Sequence, residues 1–455
     1  MKLVLLSGGS GKRLWPMSTD ARSKQFLKVL DDPERGKISM IQRVWEQLRT
    51  VGIASETYLC ASEEQAETIA AQIRDANVIV EPSRRDTFPA VALASLYLGQ
   101  PHMTSDDEMI AVAPVDHYVD LGFFQAVREL PAVLARSGAD IALLGVRPTH
   151  PSSQFGYILT DRGHAGPGFL RVHSFVEKPS ADDAHRLIAQ GALWNCGVFC
   201  FRLSFMKEFL REHRHPDNYP DLLSAFGDLP KQSFDYRVLE QTRSIAVREY
   251  GGRWKDLGTW NSLSEELHTP FSGLGTQVDC RATHVINELD IPVVAKGLQN
   301  VVVVAAPDGI LVVDKEHCGD IKNVVNGISA PPRLEERRWG SSVVLDRAER
   351  QDGTEVQTMS IRLRPACSIP YQRHFMRHEV WTIIEGMGEM ALGGRVFTVS
   401  AGDAVQIRAG QWHSVRSEGG LRLIEVRHGT CLREDDMEVR SAGWAEAAVT
   451  ARMSG

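Results

Sequence analysis

Short apolar runs alternate with longer stretches of helical spacing through the first half of the chain. Lys2–Leu6 stops at Ser7-Gly8-Gly9-Ser10-Gly11, which predicts a buried strand feeding a glycine loop. Similar runs recur at Thr57–Cys60, Val78–Val80, Met109–Ala113 and Ile141–Gly145. Between them, Met40–Val51, Glu63–Ala76 and Phe88–Leu98 carry apolar residues at helical spacing. Strands alternating with helices predict an α/β unit, a Rossmann-like and mostly parallel sheet covered on both faces.

Past about residue 275 the pattern changes. Helical spacing fades, and short β-rich runs such as Val301–Ala305 and Ile310–Val313 flank the turn Pro307-Asp308-Gly309. Pro331-Pro332 and the charged stretch Arg333–Arg338 read as a connector. From Ser342 to Val426 many short strands are broken by glycine turns, as at Gly386-Met387-Gly388 and Gly393-Gly394, the pattern of a small β-barrel. The expected domains are therefore 1–275, 276–332 and 333–455. No internal repeat or low-complexity tract interrupts them.

With 455 residues the chain is long enough for several domains of roughly 150 residues each. The 58 acidic residues exceed the 51 basic ones, a net charge of -7 that argues against binding a nucleic-acid backbone. Seven scattered cysteines with no CxxC pair exclude a disulfide framework or a structural zinc module as the expectation. No apolar run reaches the roughly 18 residues that span a bilayer. The N-terminal run is too short for a signal h-region, so no membrane partner and a cytoplasmic location are expected.

Candidate chemistry begins at the glycine loop. Gly8, Gly9 and Gly11 let a backbone approach an anion closely, and Lys12 and Arg13 add positive charge. The spacing is neither G-x-G-x-x-G nor a P-loop, so a tight strand-to-helix turn is an equal reading of the loop alone. Other polar groups fall where α/β sheets bind ligands, beyond the ends of predicted strands: Lys24 in Lys24-Gln25-Phe26-Leu27, Glu81 and Arg85 after Val78–Val80, and Asp116 after Met109–Ala113. Glu177-Lys178, Trp194-Asn195 and Asp256-Leu257-Gly258 supply further polar groups among apolar neighbours.

Together these residues resemble the sugar-1-phosphate nucleotidyltransferases, most closely the long mannose-1-phosphate guanylyltransferases. Family segments GGxGTRLWPLSR…PKQFL, EPxGRNTAPA, PADH, GYI, FVEKP, WNSGIF, SIDY and DxGSW have counterparts here in the same order. They are GGSGKRLWPMST…SKQFL, EPSRRDTFPA, PVDH, GYI at Gly156–Ile158, FVEKP, WNCGVF, SFDY at Ser233–Tyr236 and DLGTW. Arg84, Asp86 and Phe88 depart from the family residues in the second segment, which bears on nucleotide identity.

The resemblance implies transfer of GMP from GTP to mannose 1-phosphate, with release of pyrophosphate. The glycines would offer backbone donors to the triphosphate, Arg13 would stabilise departing pyrophosphate, and Lys24 would bridge phosphates. Asp116 and Asp256 would hold Mg²⁺, a cation that prefers carboxylate oxygens. Lys178 would bind the sugar's phosphate, Glu177 and Asn195 its hydroxyls, and Gly156 would admit the ring. Glu81 either selects guanine, with Arg85 nearby, or pairs structurally with Arg84 or Arg85.

The segment Arg338–Arg440 resembles the cupin domain fused to these enzymes, which carries a metal-dependent phosphomannose isomerase. The family pattern Q-x-H-x-H-R-x-E-H-W reads here Gln372 to Trp381, so His374 and Glu379 match as metal ligands, as does His413 farther on. Met376 and Val380 replace two family histidines, and a thioether is a poor zinc partner. His378, two residues beyond Met376, is a candidate compensating ligand for what would be a weak divalent-metal site, and the barrel is expected to stabilise the fold or an oligomer rather than to be a competent isomerase. Val301–Asn326 resembles the family's short left-handed β-helix linker, a segment that implies a homodimer.

Overall fold

The computed structural model describes residues 1–8, 12–19, 22–101, 103–166, 168–328, 331–441, 443, 444 and 446, with the backbone alone at 162–165 and 434. Two compact units divide the chain: Met1–Ser10 with Ser23–His268, and Gly11–Arg22 with Thr269–Gly455.

The first unit is built on a nine-stranded sheet. Its order is Asn77–Glu81, Thr57–Ser62, Lys2–Leu6, Met109–Pro114, Leu193–Arg202, Ile141–Val146, Ile245–Tyr250, Phe169–Val176 and Gly156–Gly166. The first four strands run parallel, as do Ile141–Val146 and Ile245–Tyr250. Leu193–Arg202 enters antiparallel between the two groups, pairing Phe199 with Val112 and Asn195 with Gly145. Its N-terminal end therefore lies at the edge where the parallel strands have their C-terminal ends. Ligands of open α/β sheets bind at this edge.

Local chemistry explains the helices. Met40–Val51 starts at Ser39, whose side chain forms a reciprocal capping box with Gln42, and ends at Gly52 with φ +78°. Ile41, Val44, Trp45 and Leu48 form its buried stripe. The predicted helix Glu63–Ala76 stops at Gln72, because Ile73 turns to extended geometry and buries its side chain. Thr87–Leu98 is apolar nearly all round and lies inside the main core with Phe199, Phe201 and Phe234.

In the second unit, parallel pairs join Phe271–Ser272 to His284–Asn287, His284–Asn287 to Val301–Ala306, and Gly275–Val278 to Val293–Lys296. This coil is the β-helix-like segment. Gly309 in its predicted turn has φ +154°, and a Cβ there would sit 2.4 Å from the Trp15 ring. Arg22 anchors the same unit, donating to Glu288 at 2.8 and 3.1 Å. From Leu334 onward an eleven-stranded antiparallel sheet wraps as a barrel around Trp381, Ile383, Met390 and Leu423.

Candidate active site

Asp116 and Asp256, 140 positions apart in sequence, meet at one ammonium group. Lys24 Nζ lies 2.7 Å from Asp116 Oδ2 and 3.5 Å from Asp256 Oδ1. Each element has a local reason to be there. The Gln25 side chain is buried and donates to the Ser7 carbonyl at 2.7 Å and to Ser7 Oγ at 3.0 Å, tying the Lys24–Phe26 turn to the end of the first strand. The Val115 amide donates to the Leu6 carbonyl just before Asp116. Asp256 ends the strand Trp254–Asp256, which pairs it directly with His117. Gly258 leaves that carboxylate its place, since a Cβ there would stand 2.9 Å from Asp256 Oδ2 and displace it.

Burial pushes the Asp116 carboxyl upward, but the Lys24 and His117 charges and the hydrogen bond from Lys24 together outweigh it and hold the group at about 2. Burial lowers His117 despite the two acids beside it, and its Nδ1 accepts from Trp254 Nε1 at 3.2 Å. Two carboxylates gathered on one cationic centre are the donor chemistry that a hard divalent ion takes, so these residues fit Mg²⁺.

A second group of predicted residues converges along the edge. Gly156 pairs with Asn195 across adjacent strands, and a Cβ on Gly156 would stand 2.4 Å from Glu177 Oε2. Lys178, at φ +44°, places Nζ 3.2 Å from Glu177 Oε1. Burial first, and the Asp235 charge second, push the Glu177 carboxyl up to about 7. Asn195 Nδ2 donates to Asp235 Oδ1 at 2.7 Å. In the sequence Asp235 stands out only as part of SFDY, and nothing in its spacing points to Asn195, 40 positions earlier.

Glu81 closes the strand Asn77–Glu81 and is only 9% exposed. It accepts from Cys60 Sγ at 3.5 Å, and burial raises its carboxyl. Of the structural alternative, the Arg84 charge does reach Glu81, where it opposes the effect of burial. Arg84 lies 3.9 Å from Glu64, and Arg85 donates through Nε and Nη2 to the Leu229 carbonyl at 3.2 and 2.8 Å. Among the described residues no ion pair joins either arginine to Glu81. Gly8 follows the first strand, and among the described residues nothing lies within 4 Å of where a Cβ on it would stand. Lys12 and Arg13 form a short 3₁₀ turn, Lys12–Leu14, within the second unit. Gly9 and Gly11 lie outside the described residues.

Residues 2–269 match the family model described as nucleotidyl transferase, which covers more than half of the chain. The chain belongs to the nucleotidyl transferase family. Residues 333–441 match a second model, mannose-6-phosphate isomerase C-terminal. Xanthan biosynthesis protein XanB of Xanthomonas campestris pv. campestris is 31% identical over 95% of this chain and 97% of its own. Mannose-1-phosphate guanylyltransferases of Salmonella typhimurium and Escherichia coli are also 31% identical, each over 95% of this chain and 96% of their own. A solved structure titled mannose-1-phosphate geranyltransferase, from Thermus thermophilus, superposes with a TM-score of 0.60 at 28% identity. It covers 72% of this chain and 99% of its own.

In this nucleotidyl transferase the C-terminal barrel gathers His374, Glu379 and His413, all buried, with ligand atoms within 4.8 Å of one another. His374 Nδ1 lies 3.1 Å from the Asp436 carbonyl and His413 Nδ1 3.0 Å from that of Gln411. These contacts place each Nε2 3.4 Å from a Glu379 oxygen. Burial pushes the imidazoles down to about 3 and about 4, so both are neutral at pH 7. Glu379 Oε2 and His413 Nε2 are buried with no partner by hydrogen-bond geometry, and the neighbouring Glu425 carboxyl is pushed up to about 7 by burial first and the Glu379 charge second; a cation among these groups would offset that repulsion. His374 Nε2 is instead engaged by Arg377 Nη2 at 2.9 Å, while Arg377 Nε donates to Glu379 at 2.9 Å.

The expected compensation by His378 does not occur. His378 is exposed, accepts from the Ala409 amide and stacks on His428. Alternation along the strand from Arg377 turns Arg377 and Glu379 inward and His378 outward. Met376 lies just before that strand, 52% exposed. Among the described residues, no helix is long and apolar enough to cross a membrane.

Proposed function

We propose that the first unit, with the glycine-loop residues, transfers GMP from GTP to α-D-mannose 1-phosphate, giving GDP-mannose and pyrophosphate. The observation that carries this reading is the convergence of Asp116 and Asp256 on Lys24, within 2.7 and 3.5 Å of one ammonium. The names of full-length relatives support the sugar and the base.

The attacking oxygen belongs to a phosphate already ionised at neutral pH, so no general base is needed. It forms a bond to the α-phosphorus as the bond to pyrophosphate breaks. The protein's task is to align two anions and to offset their repulsion. Lys24, held by two acids before substrate arrives, supplies a fixed positive charge for the reacting phosphates. Arg13 stabilises the leaving pyrophosphate, with Lys12, Gly8, Gly9 and Gly11 as further donors. Lys178 binds the sugar phosphate. Glu177 and Asn195 read hydroxyls, with Gly156 admitting the ring. Glu81 is a buried acceptor suited to the two adjacent N–H donors of guanine, and adenine offers no such pair. Mg²⁺ held by Asp116 and Asp256 would neutralise charge on the triphosphate.

The domains divide as 1–275, 276–332 and 333–455, with a cytoplasmic location. The exposed side chains of Val294, Ile310 and Val312 favour pairing with a second copy through the coil segment. The orphaned Glu379 and His413 atoms favour a second reading, a mannose-6-phosphate isomerase in the barrel held by a weakly bound divalent ion.

Four nucleoside triphosphates assayed against several sugar 1-phosphates with Mg²⁺ test the main reading. GTP with mannose 1-phosphate should release pyrophosphate fastest. No release from any pair would refute it.

A further inference from the structure

Asn195 has almost no freedom left. Its Oδ1 accepts from the Gly197 amide at 3.0 Å, and one Nδ2 proton goes to Asp235 Oδ1 at 2.7 Å. Gly197, at φ +68°, turns its amide back toward Asn195 in a conformation that disfavours other residues. The side chain of Asn195 is therefore fixed in rotamer and in amide orientation, with one N–H remaining. The Asp235 end is equally determined. Ser233 caps the short helix Phe234–Arg237 by accepting from the Tyr236 amide, and the buried Phe234 stacks on Phe199 at 4.6 Å between ring centres. Phe199 lies on the same strand as Asn195. One aromatic contact thus registers the SFDY turn against the strand that carries the asparagine.

Across from Asn195, Glu177 Oε2 is buried and without a hydrogen-bond partner. It occupies, with Phe175 Cζ, the space that a Cβ at Gly156 would take, so the carboxylate lies close against the backbone there. The set comprises two carboxylates, one oriented amide and a lysine at a close-approach glycine. Carboxylates accept from hydroxyl groups and the amide N–H donates to one, so the arrangement suits a sugar ring with neighbouring hydroxyls.

We propose that Asp235 is a positioning residue of the sugar subsite, orienting the Asn195 amide so that its remaining N–H stands beside the Glu177 acceptor for a hydroxyl of the sugar phosphate. The inference rests on the transferase reading above and adds to it a residue that acts on sugar binding alone. Removing this hydrogen bond from a neutral donor to a carboxylate leaves Asn195 held by the Gly197 amide alone and weakens sugar binding about tenfold.

The test compares Asp235→Ala and Asp235→Asn with wild type in steady-state pyrophosphate release, varying GTP and mannose 1-phosphate separately. Asp235→Ala should raise KM for mannose 1-phosphate about tenfold and leave KM for GTP within twofold. Asp235→Asn keeps an oxygen for Asn195 and should recover most of that loss. Its pH profile supplies a readout that a purely structural role would not move. The groups whose charges act on Glu177 are Lys178, which stabilises its ionised form, and Asp235 and Glu240, which oppose it. Removing the Asp235 charge should shift the acid limb of kcat/KM for the sugar phosphate to lower pH than in wild type.

Equal rises in both KM values accompanied by a lowered Tm, or an unchanged KM for mannose 1-phosphate in Asp235→Ala, would overturn the proposal. If wild type prefers another sugar 1-phosphate, the reading of the sugar fails and the same split is measured on that sugar. If wild type turns over no sugar phosphate, the transferase reading fails and the positioning role falls with it.

Discussion

Replacing Lys24 with methionine keeps most of the side-chain volume and removes the charge between two acids. At neutral pH, above the ordinary carboxylate range, the native state then holds Asp116 and Asp256 together with no ammonium between them. The size of the effect follows from Asp116, which is held at about 2 against an ordinary value of 3.8. A difference of that size corresponds to about 2 kcal/mol in favour of the charged form, and Lys24 is its largest favourable cause. With both carboxylates about one-quarter exposed, solvent screens part of the repulsion, so a loss of about 1–2 kcal/mol in stability is expected. Urea unfolding in EDTA at pH 7 measures it. Millimolar Mg²⁺ should restore much of the loss, because a divalent ion replaces the missing charge at the same two acids. Turnover should not recover, falling about a hundredfold or more, since Lys24 is also the charge offered to the phosphates. A variant as stable as wild type in EDTA, or insensitive to Mg²⁺, would refute the reasoning.

Glu81→Gln replaces an acceptor-only group with an amide and should lower kcat/KM for GTP at least tenfold while leaving ATP use nearly unchanged, measured in competing-nucleotide assays. Gly156→Ala places a methyl 2.4 Å from Glu177 Oε2 and 2.8 Å from Phe175 Cζ, so KM for mannose 1-phosphate should rise several-fold with little change for GTP. In the barrel, Arg377→Ala removes the shorter of two contacts on His374 Nε2, leaving Gln372 Nε2 at 3.3 Å, and should tighten binding of Co²⁺ or Zn²⁺ to the His374, Glu379 and His413 set relative to wild type, read by titration calorimetry.

The sequence exposed the parts of this protein governed by local pattern. The strand Lys2–Leu6 and the helix Met40–Val51 follow directly from apolar runs, spacing and a capping serine. The functional elements are legible where a strand end and a polar cluster coincide, as at Asp116, and the family motifs brought in Asp256 from far along the chain. Contacts that depend on three-dimensional return were not legible. Nothing local marks Gln25 as the group that holds the Lys24 turn to Ser7, or Asp235 as the partner of Asn195. Buried side chains of one strand can likewise reverse an expectation from spacing. Met376 and His378 read as neighbours on one face, yet Arg377 is the residue that reaches the metal-type cluster. The assignment of Lys12 and Arg13 to the second unit, while Gly8 stays with the first, is equally invisible in a continuous motif.

The most direct measurement is pyrophosphate release from GTP and mannose 1-phosphate by wild type and Asp256→Asn at matched Tm. Asp256 lies 3.5 Å from Lys24 and supplies half of the acid pair, so the variant should lose about a hundredfold or more in kcat at saturating Mg²⁺. A variant that keeps its fold and turns over within threefold of wild type would contradict the assignment of this pair as the catalytic centre.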